Sequence, residues 1–401
     1  MVRGMPLPIS AQHSKPPRTL TPALLAVMWM VLFGFGTFFL NYSTLVTTGQ
    51  RMGLTAVTAG TVLTVMMVAV VAVQPLAPVL NTRLGSRYAF LIALGLQAIG
   101  HILPLAGQYP FAALLTGSVI GGLGFGILVV IGTAVVPSTV SPDRLGRALG
   151  YYGATTATAT AIGAPIGIWL ISILPATGFR WLSFGLVLLA LPAIFAVPKK
   201  EFTEHAGPHS AEQHHAGPVQ RVQVGGLTTV LLPAALVLTV FGLVLAFGPA
   251  AEDASPALYI ATMQVFVIIG RFLSSASLDR YASVTVMMVG LAIALVGLVF
   301  AAVLPAGWGL LLAMVVLGFG TGSVQSSSLL LAFHQAGSPN RGSVAWNMTF
   351  DLGLGFAGLV GGVGFTYWGA ETTYLACAAA LLVTSLVFAW YFRRKRAPQP
   401  A

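Results

Sequence analysis

Residues 56–87 read AVTAGTVLTVMMVAVVAVQPLAPVLNTRLGSR. From Ala56 to Leu76 no side chain is charged, and at 1.5 Å rise per residue such a run crosses a hydrocarbon core of roughly 30 Å. It shows no in–out alternation of polar and apolar positions, so it predicts a helix and not a barrel strand. Gln74-Pro75 closes it, and Arg83 and Arg87 follow within a dozen residues. Basic residues so placed mark the cytoplasmic side of a membrane helix.

The rest of the chain repeats this pattern. Of 401 residues, 7% are charged and 57% hydrophobic, with a mean hydropathy of +0.90. A soluble fold carries roughly 25% charged residues, so these figures exclude a soluble globule, disorder and a disulfide scaffold alike. Eleven more spans are predicted. In the first half they are Ala23–Leu45, Tyr88–Leu105, Phe111–Val136, Leu149–Leu174 and Trp181–Val197. In the second half they are Thr228–Phe247, Ala257–Ser274, Val284–Leu304, Trp308–Phe333, Ser343–Tyr367 and Thr372–Phe392. The fold class is an all-α polytopic membrane protein of 12 transmembrane helices.

Charge sets the orientation. With the amino terminus cytoplasmic, the inner segments hold Arg3, Lys15, Arg18, Arg83, Arg87, Arg144, Arg147, Lys199, Lys200, Arg221, Arg271, Arg280, Arg341 and Arg393 through Arg396. Those are 17 of the 19 basic residues, and only Arg51 and Arg180 fall outside. Both termini are therefore expected in the cytoplasm. The net charge of +10 follows from topology and anionic lipid, without nucleic acid.

A polar stretch, Pro198–Gly226, divides six spans from six. The expected organisation is a tail at 1–22, a bundle at 23–197, a linker at 198–227, a second bundle at 228–392 and a basic tail at 393–401. The halves echo each other. Thr82-Arg83-Leu84-Gly85 matches Asp279-Arg280-Tyr281-Ala282 at an offset of 197, and Leu145-Gly146 matches Arg341-Gly342 at 196. Parallel six-helix repeats are an architecture of secondary transporters, whose substrate site lies between the repeats near mid-membrane.

Pro78 through Arg87 resembles the Gly-x-x-x-Asp-Arg-x-Gly-Arg loop of the major facilitator superfamily, and Gly270-Arg271 with Leu278-Asp279-Arg280 resembles its second-half counterpart. Ser141 through Gly150 is similar to the family's link from helix 4 into helix 5. Gly163-Ala164-Pro165-Ile166-Gly167 is similar to the helix 5 segment associated with exporters, and Asn347 through Gly353 resembles helix 11 of drug/proton antiporters and sugar-efflux relatives. The likeness implies two six-helix bundles and a bacterial inner-membrane transporter. Thr82 stands where the family's loop has Asp, and Ser118 where its helix 4 has Arg. Family exporters often carry an acid in helix 1, where this chain offers only Asn41 and Tyr42. A cytoplasmic latch is therefore expected from the second half: Asp279 against the helix 5 terminus at Gly146 and Arg147, with Arg271 and Arg280 beside it and Arg83 and Arg341 nearby. Arg271 has the alternative of snorkelling to lipid headgroups.

Among nine acids only Asp351 lies within a span, about 14 Å into its helix counted from Gly342. A charge there costs at least ~2.5 kcal/mol, so it should face a cavity or hold a proton. A carboxyl that alternates between dry and wet surroundings takes up a proton on one side and releases it on the other. Asp351 is the candidate proton-coupling residue; the alternative is a hydrogen-bonded packing group on helix 11. Candidate substrate contacts are the amides Asn347, Gln325, Gln264, Gln97 and Asn41, with Tyr42 and an aromatic wall of Trp346 and Phe350. For each amide interhelical hydrogen bonding is an equal alternative, and for the aromatics core packing. With no basic residue read as lying deep in a span, the cavity is expected to suit an amphipathic or weakly cationic molecule.

No cofactor is expected. The runs Gly121 through Gly126 and Gly318 through Gly322 let helices approach closely, and no Gly-Lys-Ser/Thr follows to make a nucleotide loop. Linker residues His205, His209, His214 and His215 lie among Gly and Pro, which argues against a metal site. Cys377 stands alone. The sequence reads as a non-enzymatic, proton-coupled exporter of small organic molecules, acting as a monomer. A proton-coupled uptake symporter is the nearest alternative; an intramembrane enzyme or a receptor is less consistent with one isolated acid.

Overall fold

The computed structural model describes residues 20–106, 109–141, 144–197, 222–248, 256–278 and 280–396, and every regular element among them is helical. Among the described residues, twelve helices are long and apolar enough to cross a membrane. In the first half they are α1 (Pro22–Arg51), α2 (Ala56–Leu84), α3 (Ser86–Leu105), α4 (Pro110–Thr139), α5 (Leu145–Ile173) and α6 (Ala176–Ala196). In the second they are α7 (Val224–Phe247), α8 (Pro256–Leu278), α9 (Ser283–Val303), α10 (Trp308–Gln335), α11 (Pro339–Tyr367) and α12 (Gly369–Arg396). Large apolar side chains such as Trp169, Phe272, Val383, Leu386 and Trp390 remain exposed on the outer surface, where lipid tails would cover them.

Local chemistry sets the helix ends. Thr21 caps α1 by accepting from the Leu24 N–H at 3.1 Å, with Pro22 at the first helical position. Thr55 and Ser338 cap α2 and α11 in the same way. Each such cap contributes about 1 kcal/mol. Pro75 has no N–H to donate, so α2 tightens into a short 3₁₀ turn at Gln74–Leu76 before resuming. Between α2 and α3 the chain turns at Gly85, with φ +84 and ψ 159, a conformation that side chains with a Cβ essentially never adopt. Gly85→Ala should therefore cost about 1–3 kcal/mol, read as a lower midpoint in thermal unfolding of the purified protein. Gly95→Ala is the control: a Cβ there meets open space, and its midpoint should hold or rise.

Three spans differ from their sequence reading in ways that matter later. The first was expected to close at Leu45 but continues to Arg51, whose guanidinium Nη1 donates to the Ile171 carbonyl of α5 at 2.6 Å and anchors the added turns on the neighbouring helix. The sixth begins at Ala176, directly after Pro175, which draws Arg180 into the span; it is 7% exposed and not in an outer loop. The eighth runs to Leu278 instead of Ser274, which carries Arg271 a turn deeper.

Helix pairing repeats at an interval of six. In the first half α1 packs on α5, α3 on α4, and α2 on α4. In the second half α7 packs on α11, α9 on α10, and α8 on α10. The contacts between halves obey the same symmetry: α2 meets α11, α8 meets α5, and α1 meets α7. A chain folded as two parallel repeats about an axis normal to the membrane has this pattern, and it leaves a space on the axis for a ligand.

Candidate functional site

The two halves enclose a cavity of about 220 Å³. Phe35 and Phe39 of α1, Phe125, Val129 and Thr133 of α4, and Tyr152, Thr156 and Thr160 of α5 form the first-half wall. The second-half wall is Phe241 of α7, Gln264 and Arg271 of α8, Gln325 of α10, and Trp346, Asn347, Phe350 and Asp351 of α11.

Asp351 is 5% exposed, and the Gln74 amide Nε2 donates to its Oδ2 at 2.6 Å. The bond joins α2 to α11, and so the first half to the second. It exists because Pro75 interrupts the α2 ladder at this level and turns the chain into the 3₁₀ geometry that begins at Gln74. Asn347 sits one turn before Asp351, exposed to the cavity, its Nδ2 donating to Ser343 Oγ at 3.4 Å. Trp346 is pinned to α10 by a 3.0 Å bond from its Nε1 to Ser328 Oγ, and its ring lies 5.6 Å from that of Phe350. Gln264 Nε2 donates to the Thr160 carbonyl at 3.0 Å, tying α8 to α5.

The two ends of the cavity differ. Toward the face that carries the α1–α2 turn, here called the far face, the halves are in contact. Thr64 Oγ1 donates to the Gly355 carbonyl at 2.7 Å and Tyr42 Oη to that of Leu354 at 2.8 Å. Gly60 and Gly358 bring the α2 and α11 backbones together with no room for a Cβ on either. Toward the opposite face, where α1 begins and α12 ends, the first turns of α5 stand open: a Cβ on Gly146, Gly150 or Gly153 would meet nothing within 4 Å. At that end Ala77–Leu84 of α2 packs on α3 and α4 of its own half.

The structure brings Asp351, Asn347, Gln325, Gln264, Trp346 and Phe350 to one cavity. It places three other candidate contacts elsewhere. Gln97 is 1% exposed, packed on α4 at Gly124 and near Gly34 of α1. Asn41 donates to the Thr37 carbonyl at 2.9 Å and accepts from Arg180 at 3.5 Å, and Tyr42 belongs to the far-face contact. Among the candidate gating residues, Arg83, Arg147, Arg280 and Arg341 are exposed at the terminal face. A Cβ on Gly146 would meet nothing within 4 Å, so among the described residues nothing packs on that glycine. Asp279 lies outside the described residues, as do the linker histidines. Arg271 lines the central cavity, a position that neither expectation made for it included. The expectation that no basic residue lies deep in a span falls with it.

Sequence reasoning missed Gln74, the first-half aromatics and Tyr152. Gln74 carried a signal, as the one amide in the Ala56–Leu76 run and the neighbour of its proline. Phe35, Phe39 and Phe125 cluster through a 4.8 Å edge contact of Phe35 with Phe125 and a 6.2 Å contact of Phe39 with Phe125. Nothing in the sequence separates these from core phenylalanines.

Comparison with known proteins agrees with this architecture. Residues 24–346 match the Major Facilitator Superfamily. The uncharacterised MFS-type transporter YhhS of Escherichia coli K12 is 25% identical over 315 residues, spanning 77% of this chain and 71% of that protein. Two solved structures share the fold. A POT family transporter in complex with 5-aminolevulinic acid superposes with a TM-score of 0.76 at 12% identity, covering 92% of this chain and 96% of that one. A D-xylose-proton symporter gives 0.69 at 15%, covering 91% and 96%. A match over most of the chain, twelve spans and a cavity between two repeated halves place this chain in the Major Facilitator Superfamily, as a multi-pass membrane transporter and not an enzyme.

Proposed function

We propose that the protein is a proton-coupled exporter of small organic molecules, working as a single chain by alternating access in a bacterial inner membrane, with Asp351 carrying the proton. The observation behind this reading is the Gln74–Asp351 bond. It crosses between the halves, on the wall of a cavity that both halves line. A hydrogen bond to an ionised carboxylate is roughly twice as strong as one to a neutral group. Protonating Asp351 therefore loosens the α2–α11 contact at this level, and deprotonation tightens it. The proton then biases the arrangement of the two halves, which is what coupling requires.

Sidedness comes from the basic residues. Arg83, Arg147, Arg280, Arg341 and Arg394 cluster at the terminal face, so the open end of the cavity is assigned to the cytoplasm. In this arrangement Asp351 gives its proton to cytoplasmic water and substrate enters. After the halves rock, substrate leaves from the far face and Asp351 takes a proton there. The cavity volume is below the roughly 300–1,000 Å³ typical of drug-sized ligands, which favours a metabolite over a bulky drug. Helix α5 supports the export reading. Its Gly163-Ala164-Pro165-Ile166-Gly167 segment is similar to the one associated with exporters, and Gly163 and Gly167 let it lie directly on the α1 backbone at Gly36 and Leu40.

Everted membrane vesicles with an acidic interior, incubated with a metabolite mixture and read by mass spectrometry, test the direction. Export predicts that at least one compound accumulates in vesicles carrying the protein, and that dissipating the pH gradient releases it. Accumulation confined to right-side-out vesicles would establish uptake by symport instead.

A further inference from the structure

The cavity wall holds two charges of opposite sign that do not pair. Asp351 is bonded through Oδ2 to Gln74, and no described residue bonds its Oδ1. Arg271, on α8, has no carboxylate and no hydrogen-bond acceptor for its guanidinium among the described residues, and the Gln325 amide beside it on α10 is likewise unpartnered. No ion pair joins Arg271 to Asp351. Among the described residues of the lining, Asp351 and Arg271 are the only formally charged side chains; the rest are aromatic, aliphatic, hydroxyl and amide.

Arg271 is held there by its backbone. Ser326 Oγ on α10 donates to the Arg271 carbonyl at 3.2 Å, and at Gly322 a Cβ would sit 2.8 Å from the Arg271 nitrogen. Helix α10 thus fixes the Arg271 backbone and presents Gln325 one turn further along. A guanidinium withdrawn from bulk water and lacking a protein counter-charge is costly unless a ligand supplies one. Its planar fork matches a carboxylate.

We infer that the transported molecule is a small zwitterion, its anionic group held by Arg271 with help from Gln325 and its cationic group by deprotonated Asp351. The inference rests on the exporter reading for the ionised state of Asp351. An ammonium on the substrate stabilises that state, so substrate and proton compete for one carboxyl, and this competition makes exchange obligatory. The aromatic rings of Trp346 and Phe350 cover the apolar part between the two charges. A molecule with only one charge leaves either the guanidinium or the carboxylate without its partner.

Two matched trios of probes test this on the purified full chain, by thermal shift and calorimetry. One is L-phenylalanine, 3-phenylpropionate and 2-phenylethylamine; the other is 5-aminovalerate, valerate and pentylamine. In at least one trio the zwitterion should bind at least ten-fold tighter than both singly charged analogues. Arg271→Gln should bring the zwitterion down to the level of the amine, and Asp351→Asn to the level of the acid, while Arg271→Lys keeps part of the preference and confirms that the fold tolerates the position. Equal binding within both trios, a failure of both zwitterions to bind, or a preference that survives Arg271→Gln overturns the proposal. If Arg271→Gln leaves the preference intact while Asp351→Asn abolishes gradient-driven accumulation, the zwitterion inference falls and the exporter reading stands. The converse result sinks the coupling role of Asp351 and leaves the site chemistry.

Discussion

Asp351→Asn abolishes accumulation driven by the pH gradient, with a loss of roughly 100-fold or more, equivalent to about 2.7 kcal/mol in the coupled step. The substitution is chosen for what it preserves. Asn has nearly the shape of Asp, and its side-chain carbonyl still accepts from Gln74 Nε2, which now lies 2.6 Å from the carboxylate. If Asp351 only fastens α11 to α2, this variant keeps the fastening and transports normally. If it carries the proton, the variant cannot ionise and the cycle loses its link to the gradient. Exchange of labelled for unlabelled compound, which needs no net proton movement, separates this from a misfolded protein: at concentrations raised to offset the weaker binding of this variant, exchange should persist while accumulation is lost. Asp351→Glu keeps an ionisable group and should restore part of the accumulation. Full accumulation by Asp351→Asn in everted vesicles, at wild-type protein level, removes Asp351 from the coupling role.

The acid itself was legible in the sequence, because one carboxyl in a span is rare enough to stand out from composition alone. Its surroundings were less so, and the reasons are geometric. Arg271 was read as three residues from the end of a span closing at Ser274, but α8 runs to Leu278, which puts Arg271 about 10 Å from the helix end and not about 5 Å. Hydropathy windows end where polar residues begin, and Ser275, Ser277 and Leu278 continue the helix because Ser277 Oγ donates back to the Leu273 carbonyl at 2.8 Å. Arg180 was misplaced for the matching reason at a helix start. Gln97 and Gln264 look alike in sequence, one amide each in an apolar run, yet Gln264 lines the cavity and Gln97 is sealed between α3 and its neighbours. A membrane helix is apolar where it meets lipid as well as where it meets protein, so periodicity does not say which amide faces the cavity. Gln74 was lost at a proline that read as the end of a span, although α2 passes through it.

Gly358→Val is expected to hold the far face apart. On α11 a Cβ at Gly358 would run into the Gly60 carbonyl of α2 and stand 3.0 Å from the Thr64 nitrogen, and a Cβ at Gly60 would in turn meet the Gly358 backbone. Backbone cannot rotate away as a side chain does, so the two helices must separate. Overpacking of this kind costs about 1–3 kcal/mol. The cost falls only on conformations in which the far face is closed, so it shifts the balance toward the far-open state by roughly 5- to 150-fold. The same separation strains the 2.7 Å bond from Thr64 Oγ1 to the Gly355 carbonyl, which joins the same two helices. Spin labels on Met52→Cys and Trp368→Cys, in a chain whose single native thiol is removed by Cys377→Ala, read the distance across that face. The Gly358→Val protein should gain a longer-distance population and lose most of its transport, because a carrier that rests open to one side completes few cycles. Gly185→Val, at a position where a Cβ meets open space, should change neither. A distance distribution identical to that of wild type in a monodisperse Gly358→Val sample would mean that these glycines do not gate the far face, and the alternating movement would then have to pivot on the α1–α7 and α5–α8 contacts instead.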